Sequence, residues 1–167
     1  EKLMEAADEL GMFIECEGPF CWSHETKGDS TAIGELTRNQ LLEMVVLYRN
    51  HTSIIFWSIA NESIWNTSYQ KAGEAMAALD PTRPLTFNYF PWGWVGNKEE
   101  DKEVCAIGSD HYPSPKGPGK YSDYHRPINF GEFVHLNAYN RYELATDVAL
   151  RDTWGIYLHD MWENMYI

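Results

Sequence analysis

Short β-branched and aromatic runs alternate with amphipathic helical patterns along the whole sequence, and this alternation limits the fold more than any other feature. Leu3, Met4, Ala7 and Leu10 recur at helical spacing, Gly11 stands where a helix ends, and "MFIEC" follows as a strand. "TRNQ" at 37–40 fits a capping box ahead of an apolar stripe of Leu41, Leu42, Val45 and Tyr48. "SIIFWSIA" is a second strand, apolar on both alternating faces, as in a parallel sheet covered by helices on one side and filled on the other. A helix over roughly Tyr69 to Leu79 stops at Asp80-Pro81, and "RPLTFNY", "VCAIGSD" and "RPINFGEF" supply three more strands. From about Asp147, Trp154, Leu158, Met161 and Met165 share one face of a last helix. The pattern predicts an α/β fold with parallel strands. No linker, low-complexity tract or repeat divides residues 1–167, so one domain is expected.

Charge and cysteine usage exclude several kinds of function. A formal net charge of -12 leaves no basic stripe for phosphates or anionic lipid, so neither nucleic acid nor a membrane surface is expected as a partner. No apolar run reaches the ~18 residues of a membrane span. Cys16, Cys21 and Cys105 are odd in number and lack metal-ligand spacing, so buried or half-buried thiols are expected rather than disulfides or a zinc site. The start, "EKLMEAADELG", has no signal-peptide features and reads as a helix entered midway. Cellular location stays open.

The strands end in polar groups. Glu15 and Glu17 follow the first, Asn61 and Glu62 the second, Asp110, His111 and Tyr112 the fourth, and Glu132 the fifth. Chemistry in α/β folds gathers at the carboxyl ends of strands, in open sheets and closed barrels alike. Two carboxylates brought to one rim are what glycoside hydrolysis needs: one protonated to assist the leaving oxygen, one ionised to attack or to activate water. Trp22, Trp65, Trp92 and Trp94 lie in the loops behind those ends, where an indole face can stack on a sugar ring or close the core. Trp57, inside its strand, is expected to pack.

Four segments, in order, resemble glycoside hydrolase family 2, the family of β-galactosidases, β-glucuronidases and β-mannosidases. "RNHTSIIFWSIANES" is similar to the family's R-N-H-P-S-(apolar)-W-S-(x)-(x)-N-E segment, with Thr52 in place of the proline. "INFGEFVHLN" is similar to its second catalytic strand, "DPTRPLTF" to its D-P-(S/T)-R-P link, and "ELGMFIECEG" to an earlier strand. The resemblance implies a partial (β/α)8 TIM barrel with strands about three to seven present, in a fragment of a larger multidomain enzyme. The other domains of that parent, and a second copy of it, are the protein partners implied.

Carried over residue by residue, Glu62 resembles the acid/base, Glu132 the nucleophile and Asn61 the amide that binds the sugar 2-hydroxyl. Tyr112 falls where a tyrosine keeps the nucleophile ionised, and His135 where the β-galactosidase motif has a sugar-contacting histidine. Trp22 and Trp92 are the candidate stacking residues. The implied activity is retaining β-glycoside hydrolysis of a carbohydrate substrate, β-galactosidase-like, with the two carboxyl groups about 5 to 5.5 Å apart and the pKa of Glu62 raised. β-Glucuronidase, β-mannosidase and a non-catalytic carbohydrate-binding or scaffold domain are the alternatives. The family's metal-binding E-x-H pattern is missing, since Glu17 and His24 stand seven apart, so no metal and no cofactor are expected. The isolated 167-residue chain is expected to be inactive and to associate through its outer strands, "MFIEC" and "INFGEF".

Overall fold

The computed structural model describes residues 2–22, 31–89, 104–113, 118–132 and Val148. The expected helix from Asp147, and Trp92, Trp94, His24 and His135, lie outside them. Five strands follow the sequence pattern: β1 (Ile14–Glu17), β2 (Ile54–Ser58), β3 (Leu85–Thr86), β4 (Gly108–His111) and β5 (Ile128–Glu132). Helices α1 (Lys2–Leu10), α2 (Thr31–Tyr48) and α3 (Thr67–Leu79) precede or separate the first three, and a 3-10 turn, Pro118–Tyr121, lies between β4 and β5.

Among the described residues all strand pairings are parallel and sequential. β1 pairs with β2 and β2 with β3, while β4 pairs with β5. The Ile107 N–H donates to the Leu85 carbonyl at 3.2 Å, carrying backbone contact from the third strand to the approach of the fourth. The core lies between the strands and α2 and α3, where Leu41, Val45, Ile54, Trp57, Ile59, Ala72 and Met76 are almost fully buried. Trp57 packs as expected. Ile55 remains 41% exposed, so β2 is less covered than its apolar composition implied.

Helix α2 corrects the reading of its start. It begins at Thr31 rather than after a cap at 37. Thr37 is buried inside it, and its hydroxyl donates to the Ile33 carbonyl at 2.9 Å, the back-bonding by which a mid-helix threonine satisfies itself. Gly34 sets the approach to α3, since a Cβ there would stand 3.1 Å from Ser68 Oγ. Helix α3 starts at Asn66, whose side-chain oxygen accepts from the backbone N–H groups of Ser68 and Tyr69. Gly11 ends α1 in the left-handed region, φ 68°, which glycine adopts without strain. Of the cysteines, Cys16 and Cys105 are buried, but Cys21, which forms a bridge with Asn61, is exposed.

Two aspartates fasten the helices to β2. Asp8 accepts from the Ser53 N–H at 2.8 Å, faces His51 Nδ1 at 2.7 Å and takes a longer contact from Thr52, the residue standing in the proline's place. Asp80, 5% exposed, accepts from the Trp57 indole at 3.0 Å and from Arg83 at 2.8 Å, while Arg83 also donates to the Ile54 and His51 carbonyls. Burial pushes the Asp80 carboxyl up, but donors from Thr82, Arg83 and Trp57 outweigh it and hold the pKa at about 2. Asp80→Ala is expected to destabilise the fold by about 3 kcal/mol near neutrality, read by urea unfolding. Because the folded pKa is depressed, that contribution is complete above about pH 4 and is lost as pH falls through about 2. The gap between wild type and variant should narrow accordingly.

Candidate active site

Among the described residues, three that are not glycine have positive φ: Trp22 (56°), Glu62 (40°) and Tyr112 (52°). Such conformations cost of order 1 to 3 kcal/mol each and persist where the surroundings over-determine them. All three lie just past the carboxyl ends of strands.

The backbone around Glu62 shows how it is held. Asn61 forms a bridge with Cys21, the Asn88 N–H donates to the Ala60 carbonyl at 3.1 Å, and the Ser63 N–H donates to the Asn88 carbonyl at 3.0 Å. The Ser63 hydroxyl closes back on the Asn61 carbonyl at 2.8 Å. With both neighbours pinned, the chain bends at Glu62 and delivers its carboxyl, 3% exposed, inward from the strand end. That is the local reason an apolar strand runs directly into an acidic residue.

Three side chains meet this carboxyl and its partner. The Trp22 indole N–H donates to Glu62 Oε2 at 2.7 Å. His111 Nδ1 lies 3.2 Å from Glu62 Oε1 and 3.8 Å from Glu132 Oε1. The Tyr112 hydroxyl donates to Glu132 Oε2, and the Tyr112 backbone N–H donates to the Glu132 carbonyl at 2.6 Å. Burial, then the hydrogen bond and charge of Glu132 and the nearby charge of Glu62, push the Tyr112 phenol well above its ordinary pKa, so it stays protonated as a donor. Glu62, His111 and Glu132 each offer a ligand-type atom within 4.8 Å of the others, the kind of set that can hold a proton or a cation.

The structure therefore brings Glu62, Glu132, Tyr112 and Trp22 together. Trp22 contributes its N–H to a carboxylate and leaves its ring 66% exposed. Asn61 stands beside the pair, with its Nδ2 3.5 Å from Cys21 Sγ and its side-chain oxygen buried without a partner. Asp110 points to a different group, accepting from the Tyr121 hydroxyl at 2.8 Å. Trp65 packs edge-on against Phe87 at 5.0 Å and closes the core.

Next to the pair lies a cavity of about 250 Å3 lined by Glu15, Glu17, Asn88, His111, Gly131 and Glu132. Glu17 accepts from Asn88 at 2.7 Å and Ser58 at 3.1 Å, Asn88 in turn accepts from Ser109, and Glu15 accepts from Asn129 at 2.9 Å. Glu17 is exposed at the rim, yet desolvation of its carboxyl and the neighbouring Glu15 charge push its pKa up against those donors. Periodicity shows that Glu15 and Glu17 share a face, but nothing local names Asn88 or Asn129 as their partners.

Residues 1–139 match the TIM barrel domain of glycosyl hydrolases family 2. The chain belongs to that family. A putative β-glucuronidase from Formosa agariphila is 33% identical over 155 residues, covering 80% of this chain and 17% of its own length. A β-galactosidase from Vibrio cholerae is 26% identical over 160 residues, covering 83% and 15%. This family 2 chain thus spans about a sixth of the length of those curated relatives. In fold it is similar to an FMN-binding β-glucuronidase from Facaelibacterium prausnitzii L2-6, with a TM-score of 0.62 at 20% identity over 80% of this chain and 23% of that one. It is also similar to a family 2 β-galacturonidase from Eisenbergiella tayi bound to galacturonate, with a TM-score of 0.61 at 18% identity over 78% and 26%. The parallel strands described above are those of a family 2 barrel domain.

Gly131 is the close-packed point of this family 2 site. A Cβ there would stand 2.9 Å from His111 Nε2 and 3.3 Å from Asn129 Nδ2. Gly131→Ala is expected to push the His111 ring away from Glu62 and to cost about 1 to 3 kcal/mol of stability. A crystal structure and a urea melt of the variant check both.

Proposed function

We propose that this chain carries the catalytic pair of a retaining β-glycoside hydrolase, with Glu62 as acid/base and Glu132 as nucleophile. The observation that carries the reading is the pair itself: a carboxylate oxygen of each lies within 4.8 Å of the other. Retaining enzymes need carboxyl groups about 5 to 5.5 Å apart, whereas inverting ones leave ~6.5 to 9.5 Å for a water. Two further features support the assignment of roles. Glu62 is the buried member, which favours a neutral acid, and Glu132 is half-exposed and accepts a hydrogen bond from a phenol that keeps its own proton.

In this mechanism Glu62 protonates the leaving oxygen while Glu132 attacks the anomeric carbon and forms a glycosyl ester. Glu62 then takes a proton from water, which releases the sugar with its configuration retained. Asn61, with an unpaired side-chain oxygen at the rim, is placed in the role of the 2-hydroxyl contact. His135 is assigned to substrate binding by resemblance alone, and Trp92 by its place in a loop after a strand end. Residues 1–167 supply about strands three to seven of the barrel in one domain, and the rest of the parent chain completes it.

The sugar proposed is a neutral β-galactoside. Among the described residues, the cavity beside Glu132 is lined by three carboxylates and no lysine or arginine, whereas a uronate calls for a cation. The 33% identity to a putative β-glucuronidase favours the rival, a β-glucuronide. Turnover of 4-nitrophenyl β-galactoside, β-glucuronide and β-mannoside by the full-length protein separates them, and no hydrolysis of any would overturn the reading. Glu132→Gln should abolish turnover of every substrate by several orders of magnitude. Glu62→Gln should spare formation of the covalent intermediate only from glycosides with good leaving groups. Equal loss on good and poor leaving groups for Glu62→Gln would mean that the acid is another residue.

A further inference from the structure

We propose that His111 is a positioning residue whose Nδ1–H, held on Glu62 Oε1, sets the pH at which the acid/base carboxyl gives up its proton. The inference rests on the assignment of Glu62 above and adds a residue to it. His111 ends β4, is 5% exposed, and presents Nδ1 to both carboxylates at 3.2 and 3.8 Å. Its other nitrogen, Nε2, is buried without a partner and lies against Gly131 beside the cavity.

That arrangement selects a tautomer. A buried N–H with no acceptor is a rarer and costlier defect than an acceptor with no donor. The proton of the neutral ring therefore belongs on Nδ1, where Glu62 accepts it, and the imidazolium donates from the same atom. In either charge state His111 favours the ionised form of Glu62.

The groups facing Glu62 divide into two sets. Glu132 on β5 lies within 4.8 Å, and its charge, like burial, favours the protonated acid. Trp22 after β1 and His111 on β4 each donate to a different Glu62 oxygen and favour the carboxylate. Tyr112, just past β4, senses the Glu62 charge and also hydrogen-bonds it, and as a protonated donor it belongs with the second set. A general acid that must also serve as a base in the second step needs both sets. With no donors Glu62 would hold its proton too firmly to act as a base, and with donors alone it would lose that proton too early to act as an acid.

The test follows the pH dependence of kcat/KM for the full-length protein on whichever 4-nitrophenyl β-glycoside it cleaves fastest. Tyr112 keeps its proton throughout, and the alkaline limb is assigned to Glu62 by its disappearance in Glu62→Gln. His111→Phe, which keeps a ring and removes the donor, should move that limb up by about one pH unit. His111→Asn, whose amide nitrogen can stand near the Nδ1 position, should return it to within a few tenths of a unit of wild type. Trp22→Phe, which strips the other oxygen, should also move it up.

Should His111→Phe fail to fold, His111→Met removes the donor at similar volume and is read in the same way. A limb that stays in place in the donor-less variants, or moves down, overturns the proposal; downward movement would mean that Nδ1 accepts from a protonated Glu62. Glu62→Gln separates the two levels of the argument. Persistence of the alkaline limb in that variant defeats the acid/base assignment itself. Its disappearance there, with no movement in His111→Phe, defeats only the role given to His111.

Discussion

Two carboxylates whose oxygens lie within 4.8 Å of each other repel, and the rest of the site is the set of groups that makes this tolerable. Every identified side chain on the pair is a donor or can be one: the indole of Trp22, the imidazole of His111 and the phenol of Tyr112. They come from the ends of different strands. Trp22 follows β1, Glu62 follows β2, His111 and Tyr112 come from the end of β4, and Glu132 ends β5. Parallel pairing in sequential order is what lines these ends up. Positive φ at Trp22, Glu62 and Tyr112 then turns three of the side chains out of the strand repeat toward one another. That strain is offset by the bridges on either side, such as Cys21 to Asn61 and Ser63 to Tyr89.

Part of this was legible in the sequence. β2, β3 and β5 fall inside the runs that announced them, whereas β1 and β4 each reach one residue past theirs, to Glu17 and His111, and β4 is the polar end of its run rather than the apolar part. Glu62 and Glu132 could be read as a pair because both interrupt apolar stretches at their carboxyl ends. Tyr112 was expected beside Glu132, and its phenol donates there. The start of α2 was misread, since the polar residues at 37–40 imitate a cap while the hydroxyl of Thr37 is satisfied by the preceding turn.

Trp22 and His111 show where sequence reading reaches its end. Trp22 stands forty positions from Glu62, and nothing in its local pattern separates an indole that stacks on a sugar from one that donates to a carboxylate. His111 was visible as a polar strand end, but its place between two carboxylates depends on the register of β4 against β5. That register shifts between Asp110 and His111, where His111 comes opposite Glu132. An irregularity of this kind carries no composition signal, and it decides which side chain of "SDHY" meets the pair. Gly131 is the complement of the same step, open where a side chain would collide with the ring.

The polar interior behind the pair ties its position to the far side of the strand array. Asn129, three residues before Glu132, donates to Glu15 on β1, so the first and last described strands are joined directly across the interior. Ser58, Glu17, Asn88 and Ser109 link β1, β2, the end of β3 and β4 in the same way. Apolar packing in these positions would be tolerant of small sliding motions, whereas hydrogen bonds between buried or half-buried polar groups fix both distance and direction. The strand that carries Glu132 is thus referenced to the strand that leads to Trp22, and Trp22 to Glu62. The carboxylate spacing on which the proposed chemistry depends is set by that closed circuit of polar contacts rather than by the two glutamates alone.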